Sequence, residues 1–124
     1  MTKRKKLEKR LDLLWRSVGR GKAKCAVCKT LPPSKRVNYT RLNPHHVVGR
    51  KNKVLRWDLI NRVWLCPSHH TLGTQSAHND PLWFLEWFEE NYPKEHAYLD
   101  SCRVITYKQW TIEQLEELVE KLSV

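Results

Sequence analysis

The stretch Leu65 to Gly73, LCPSHHTLG, packs Cys66, His69 and His70 into five residues. Two neighbouring histidines leave the backbone in different directions, by about 100° if the segment is helical. They therefore serve different sites. Cys66 and His69 are separated by two residues, a spacing that lets both side chains converge on one ion from a tight knuckle. Cys25-x-x-Cys28 has the same spacing, so the two pairs read as halves of one tetrahedral zinc site. A redox-active Cys-x-x-Cys would need a strand before it and a helix after it within a βαβ unit. Here Pro32-Pro33 follows instead. With four protein ligands the site is closed, and its Zn²⁺ would hold the fold and do no chemistry. Cys102 has no partner motif and reads as an apolar residue of the core. His70 is left without a role.

Length and composition bound the rest. The 124 residues suit one domain with a modest core, and hydrophobic residues make up 40%. Six tryptophans add large apolar areas, and a metal staple would help so lean a chain. The formal charge of +10 points to a polyanion, above all nucleic acid, because Lys and Arg gain affinity by displacing condensed counterions. The basic residues are dispersed, and no apolar run approaches the ~18 residues of a spanning helix. A membrane partner is therefore not expected. The basic, amphipathic N-terminus lacks the apolar core of a secretory signal, and a cytoplasmic location is expected, in which cysteines bind metal more often than they pair.

Along the chain, Thr2 to Val18 reads as a helix, with Leu7, Leu11, Leu14 and Val18 on one face and Lys and Arg on the other. Gly19-Arg20-Gly21 ends it. Val37 to Leu42 has strand character. Asn43-Pro44 is expected to break the chain before a short extended stretch, His45 to Val48, which ends at Gly49-Arg50. Asp58 suits the cap of a helical turn through Asn61, and Val63 to Leu65 a short strand. Pro67 suits the first turn of a helix carrying His69 and His70. Asn79-Asp80-Pro81 opens a helix whose apolar face would be Leu82, Leu85 and Phe88, closed by Tyr92-Pro93. Thr111 to Gln114 matches a capping box ahead of a stripe of Ile112, Leu115, Leu118, Val119 and Leu122.

At NPHHVVGR (43–50), Asn61 in DLINRVWLC, and CPSHH (66–70), the chain resembles the HNH endonucleases, including small phage and prophage members. The resemblance covers about Cys25 to Gly73. It implies a small α+β protein: a zinc-stapled ββα-metal core over 25–73, flanked by a basic helix over 1–24 and C-terminal helices over 79–124. It also implies roles. His45 and His70 would hold a catalytic divalent ion, Mg²⁺, Mn²⁺ or a similar cation. His46 would be the general base, and Asn61 would brace the loop that orients it. The substrate would be DNA, cut to leave 5′-phosphate and 3′-hydroxyl ends, by the chain alone, as a homodimer or within a larger nucleic-acid-processing machine.

The chemistry of the residues agrees with this division. A neutral imidazole is suited to accept a proton from water near pH 7, and cleavage should fall as His46 becomes protonated. Adjacent residues of a strand face opposite ways, so His45 and His46 can serve different partners. Arg50 reads equally as a clamp on the scissile phosphate or as a solvated side chain. His78, in HNDPLWFLEW, is a third metal ligand, a phosphate contact or a helix-entry residue. Trp83, Phe84 and Trp87 read as core. Lys3, Arg4, Lys5, Lys6, Arg10, Arg50, Lys51 and Lys53 would contact phosphates without reading sequence. The competing reading is a zinc-stapled nucleic-acid-binding module that cuts nothing and has no use for His46.

Overall fold

The structure, a computed structural model, describes residues 1–36 and 41–124. The strand expected over Val37 to Leu42 falls largely on 37–40, outside the described residues. Among the described residues, five α-helices and one two-stranded antiparallel sheet make a small α+β fold. In chain order they are α1 (Lys3–Ser17), α2 (Ala26–Lys29), β1 (Asn43–His46), β2 (Arg62–Leu65), α3 (Pro81–Asn91), α4 (Pro93–Cys102) and α5 (Ile112–Leu122).

Helix α1 is capped by Thr2, whose hydroxyl accepts from the Lys5 amide. Leu11, Leu14 and Trp15 are its buried face, with Leu7 and Val18 alongside. This face packs on α5, whose Leu115 and Leu122 are buried and whose Thr111–Gln114 capping box is formed in both directions. Trp57 and Trp110 complete that core. A second core gathers Val27, Leu55, Val63 and Leu65 with Phe84, Phe88 and Leu99, around Cys25, Cys28 and Cys66. The partly buried Cys102 packs against it.

Four expectations are corrected. Strand β1 starts at Asn43 and ends at His46, so Pro44 lies within it and Val47-Val48 turns away. A two-stranded sheet has only edge strands, and an edge tolerates a residue with no amide proton. Helix α3 buries Phe84, Trp87 and Phe88, whereas Leu82 is 74% and Leu85 41% exposed. The larger aromatic faces displace the leucine stripe because they remove more apolar area from water. Tyr92-Pro93 ends α3 but also starts α4, with Pro93 at its first position, where a missing amide proton costs nothing. Finally, His69 and His70 lie not on an α-helix but on a single π-helical turn, Ser68–Leu72. The Gly73 amide closes that turn onto the Ser68 carbonyl at 2.8 Å. A Cβ at Gly73 would stand 2.6 Å from the same carbonyl oxygen, so the turn ends on a residue without one.

Candidate metal centres and the histidine cleft

Cys25 caps α2 and Cys28 lies on it, while Cys66 follows β2 and His69 sits on the π-turn. All three cysteines are buried. The distances between their ligand atoms are those of a single coordination shell. Cys28 Sγ and Cys66 Sγ are 3.9 Å apart, and His69 Nδ1 lies 3.7, 3.5 and 3.3 Å from the sulfurs of Cys25, Cys28 and Cys66. A tetrahedral zinc, with Zn–S about 2.3 Å and Zn–N about 2.1 Å, sets these edges at ~3.8 and ~3.6 Å. Burial pushes the Cys66 thiol up to about 12, and the crowding of Cys25 and Cys28 adds to it. A cation bound at Cys66 would favour its thiolate against that burial. The group can hold a metal such as zinc.

A second group, His45, His70 and His78, brings one ligand atom each to within 4.8 Å of the others. The sheet register sets His45 opposite Val63, close to the π-turn that follows β2. His78 reaches the site because the 77–78 backbone is tied to that turn: Ala77 donates to the His69 carbonyl and His78 to the His70 carbonyl. His70 Nε2 and His78 Nε2 are 3.1 Å apart. Two nitrogens about 2.1 Å from one ion are ~3.0 Å apart at a right angle and ~3.4 Å at a tetrahedral one. Nδ1 of His70 is buried without a hydrogen-bond partner among the described residues. Phe84 stands edge-on to His45 at 5.0 Å. Burial first, then the neighbouring histidines, press the His45 imidazole down to about 3, so it is neutral and keeps a lone pair to donate. Three imidazoles with no carboxylate suit a borderline divalent cation such as Zn²⁺ or Ni²⁺ better than a hard one.

His46 faces the other way, as strand alternation requires. Its ring stacks on Trp15 of α1, with centroids 3.6 Å apart and planes 7° from parallel. Its Nε2 lies 3.0 Å from the Arg56 carbonyl oxygen. A carbonyl can only accept, so Nε2 carries the proton and Nδ1 the lone pair. Burial holds the His46 imidazole below its ordinary value, with the Arg50 and Arg56 charges acting in the same direction against the Arg56 carbonyl and Asp12. Neutral His46 lines a cleft of about 530 Å³ together with His70, Arg50, Trp15 and Asp12. Asn61 is fully buried. Its side chain accepts from the Val48 amide at 2.7 Å and donates to the carbonyls of Val48 and Leu55. It braces the loop between the strands, the loop whose Arg56 carbonyl holds His46.

Of the residues singled out in the sequence, Cys25, Cys28, Cys66 and His69 come together in the first group and His45, His70 and His78 in the second, while His46 stands in neither. Arg50 lines the cleft but is 3.4 Å from Asp12. Lys3 pairs with Glu116, and the Arg4 guanidinium donates to the Trp110 carbonyl. Three contributors were not singled out: Trp15, Asp12 and Arg56. Asp12 grips the Arg56 guanidinium through both oxygens, at 3.1 and 2.7 Å, and accepts from Trp57 at 2.8 Å. The signal available was its place as one of only two acids, with Glu8, on a basic helix. Comparison with protein-family models, curated proteins and solved structures finds no match to this chain.

No helix among the described residues is long and apolar enough to cross a membrane.

Proposed function

We propose that the protein is a metal-dependent DNA endonuclease of HNH type, with His46 as general base. The observation that carries the reading is the division of labour on β1. His45 joins His70 and His78 on one side, while neutral His46 lines the adjoining cleft on the other. A binding module has no need of an imidazole held neutral with its tautomer fixed.

In the proposed reaction, a water oxygen attacks phosphorus in line with the 3′-oxygen, and its proton passes to Nδ1 of His46. The P–O3′ bond breaks, leaving a 5′-phosphate and a 3′-oxygen that is protonated from solvent. A divalent cation held by His45, His70 and His78 would supply positive charge beside the phosphate and the leaving oxygen. Trp15 and the Arg56 carbonyl fix the ring plane and the tautomer of His46. Arg50, beside the base, is placed to contact the phosphate once Asp12 shares it. The zinc group sets the π-turn from which His70 projects.

Plasmid nicking with added Mg²⁺, Mn²⁺, Ni²⁺ or Zn²⁺ tests the reading. The wild type should nick, and His46→Ala should nick roughly a hundredfold to ten-thousandfold more slowly, the usual worth of a general base. Binding of DNA without metal-dependent nicking by the wild type would favour the zinc-stapled binding module. Normal nicking by His46→Ala would remove His46 from its role. Faster cutting of RNA than of duplex DNA would redirect the substrate class.

A further inference from the structure

Asp12 lines the His46 cleft, and its partner Arg56 lines a second one of about 320 Å³, between the start of α1 and the segment ahead of α5. Five cations face this second cleft, Arg4, Lys5, Lys53, Arg56 and Lys108, against the single acid Glu8. Only Arg56 has an acidic partner among the described residues; the other four stand without one. Like charges gathered in this way repel one another and oppose folding, so an anionic partner is the condition under which the arrangement gains.

The aromatic residues say which anion. Lys53 Nζ lies 5.9 Å from the centre of the Tyr107 ring, and Lys108 Nζ 3.8 Å from that of Trp110. Tyr107 is 63% exposed. The segment that carries it has no regular structure, yet it is fixed. Lys53 donates its amide to the Thr106 carbonyl, Trp110 Nε1 donates to the Lys53 carbonyl, and Arg4 donates to the Trp110 carbonyl. A held, exposed ring between unpaired cations matches the alternation of base and phosphate along a single strand. Duplex bases are already stacked on each other and have no face to offer Tyr107. An acidic peptide would use the lysines but not the ring.

We infer that this cleft docks an unpaired DNA strand, with a base laid on Tyr107 and the flanking phosphates on Lys53 and Lys108. The inference goes beyond cleavage and does not depend on it.

The test is fluorescence anisotropy of an end-labelled oligo-dT with the full-length protein, without added magnesium or manganese, so that nothing is cut. Tyr107→Ala should weaken binding about tenfold, the usual worth of one stacked base. Lys53→Gln with Lys108→Gln should flatten the salt dependence by about 0.7 in slope for each lysine. Lys53 is exposed and Lys108 half-buried, and circular dichroism of each variant checks that the fold is kept. Lys94→Gln, outside the cleft, is the control. Unchanged binding by Tyr107→Ala overturns the inference, as do losses at Lys94 equal to those at Lys53 and Lys108. An equal loss of polyglutamate binding in Tyr107→Ala overturns it too. A wild type that fails to nick plasmid but binds oligo-dT through Tyr107 leaves this inference standing and removes only the nuclease reading.

Discussion

His45 and His46 are chemically identical neighbours, and their surroundings make them different. His45 sits among two other imidazoles and an aromatic edge, where adding a proton is unfavourable and donating a lone pair is not. His46 lies between an indole face and a backbone carbonyl that dictates which nitrogen is protonated. The same logic gives Asn61 its value. It satisfies three backbone groups at once, and no other side chain of its size offers an acceptor and two donors. Asn61→Ala is expected to destabilise the protein by about 3 kcal/mol, because buried polar groups would be left unpaired. Urea unfolding would show this as an earlier midpoint with little change in slope. Asn61→Asp should also be costly, since a carboxylate cannot donate to the carbonyls of Val48 and Leu55.

Among the elements, α1 matters more than a solvated basic helix would. Its Trp15 forms one wall behind His46, and its Asp12 ties the loop carrying Arg50, Arg56 and Trp57 to the helix. Burial alone would raise the Asp12 carboxyl, but hydrogen bonds from Arg56 and Trp57 and the nearby guanidinium charges outweigh it and hold it below the usual carboxylate range. The sign follows from linkage. A carboxyl whose folded value is depressed stabilises the fold above its unfolded value, and that stability is lost as pH falls through the folded one. Thermal melts below about pH 4 should therefore show Asp12→Asn losing less stability on acidification than the wild type does, while starting from a lower melting temperature at pH 7. Equal acid sensitivity in the two proteins would remove Asp12 from this role. At the other end, Thr111→Ala removes one arm of the α5 capping box. A cost of about 1 kcal/mol is expected, seen as a lower melting temperature with the α1–α5 contact kept.

At the scale of the whole molecule, one of the two cores is built around a group of side chains that can hold a metal. The Cys25, Cys28, Cys66 and His69 group links α2, the end of β2 and the π-turn. Removing its metal should loosen all three together. Metal analysis after dialysis against a weak chelator is expected to find about one zinc per chain. Cys25→Ser should lose it and melt at a markedly lower temperature, since zinc binding in such sites supplies folding free energy. The three-histidine group has no thiolate and should release its ion under the same dialysis. Retention of zinc by Cys25→Ser would move the tight site elsewhere.

Local signals made much of this legible. The cap at Thr2, the capping box at Thr111, Asp58 as a cap and the two-residue ligand spacings all depend on residues within a turn of one another. Such features are properties of sequence because short-range geometry leaves few alternatives. The pairing of metal ligands followed from chemistry that only a narrow set of residues can satisfy. Packing was decided at longer range. Whether α3 buries its leucines or its aromatics depends on which surface it meets, and the sequence offers both. That His78 arrives beside His70 depends on backbone bonds to the π-turn, and that Trp15 covers His46 depends on where the end of α1 is held beside β1 and β2. Sequence by itself determined which residues are equipped to bind a metal or move a proton. Only the tertiary structure decided which side chains flank them, because those neighbours come from distant segments that the chain brings together when its two cores form.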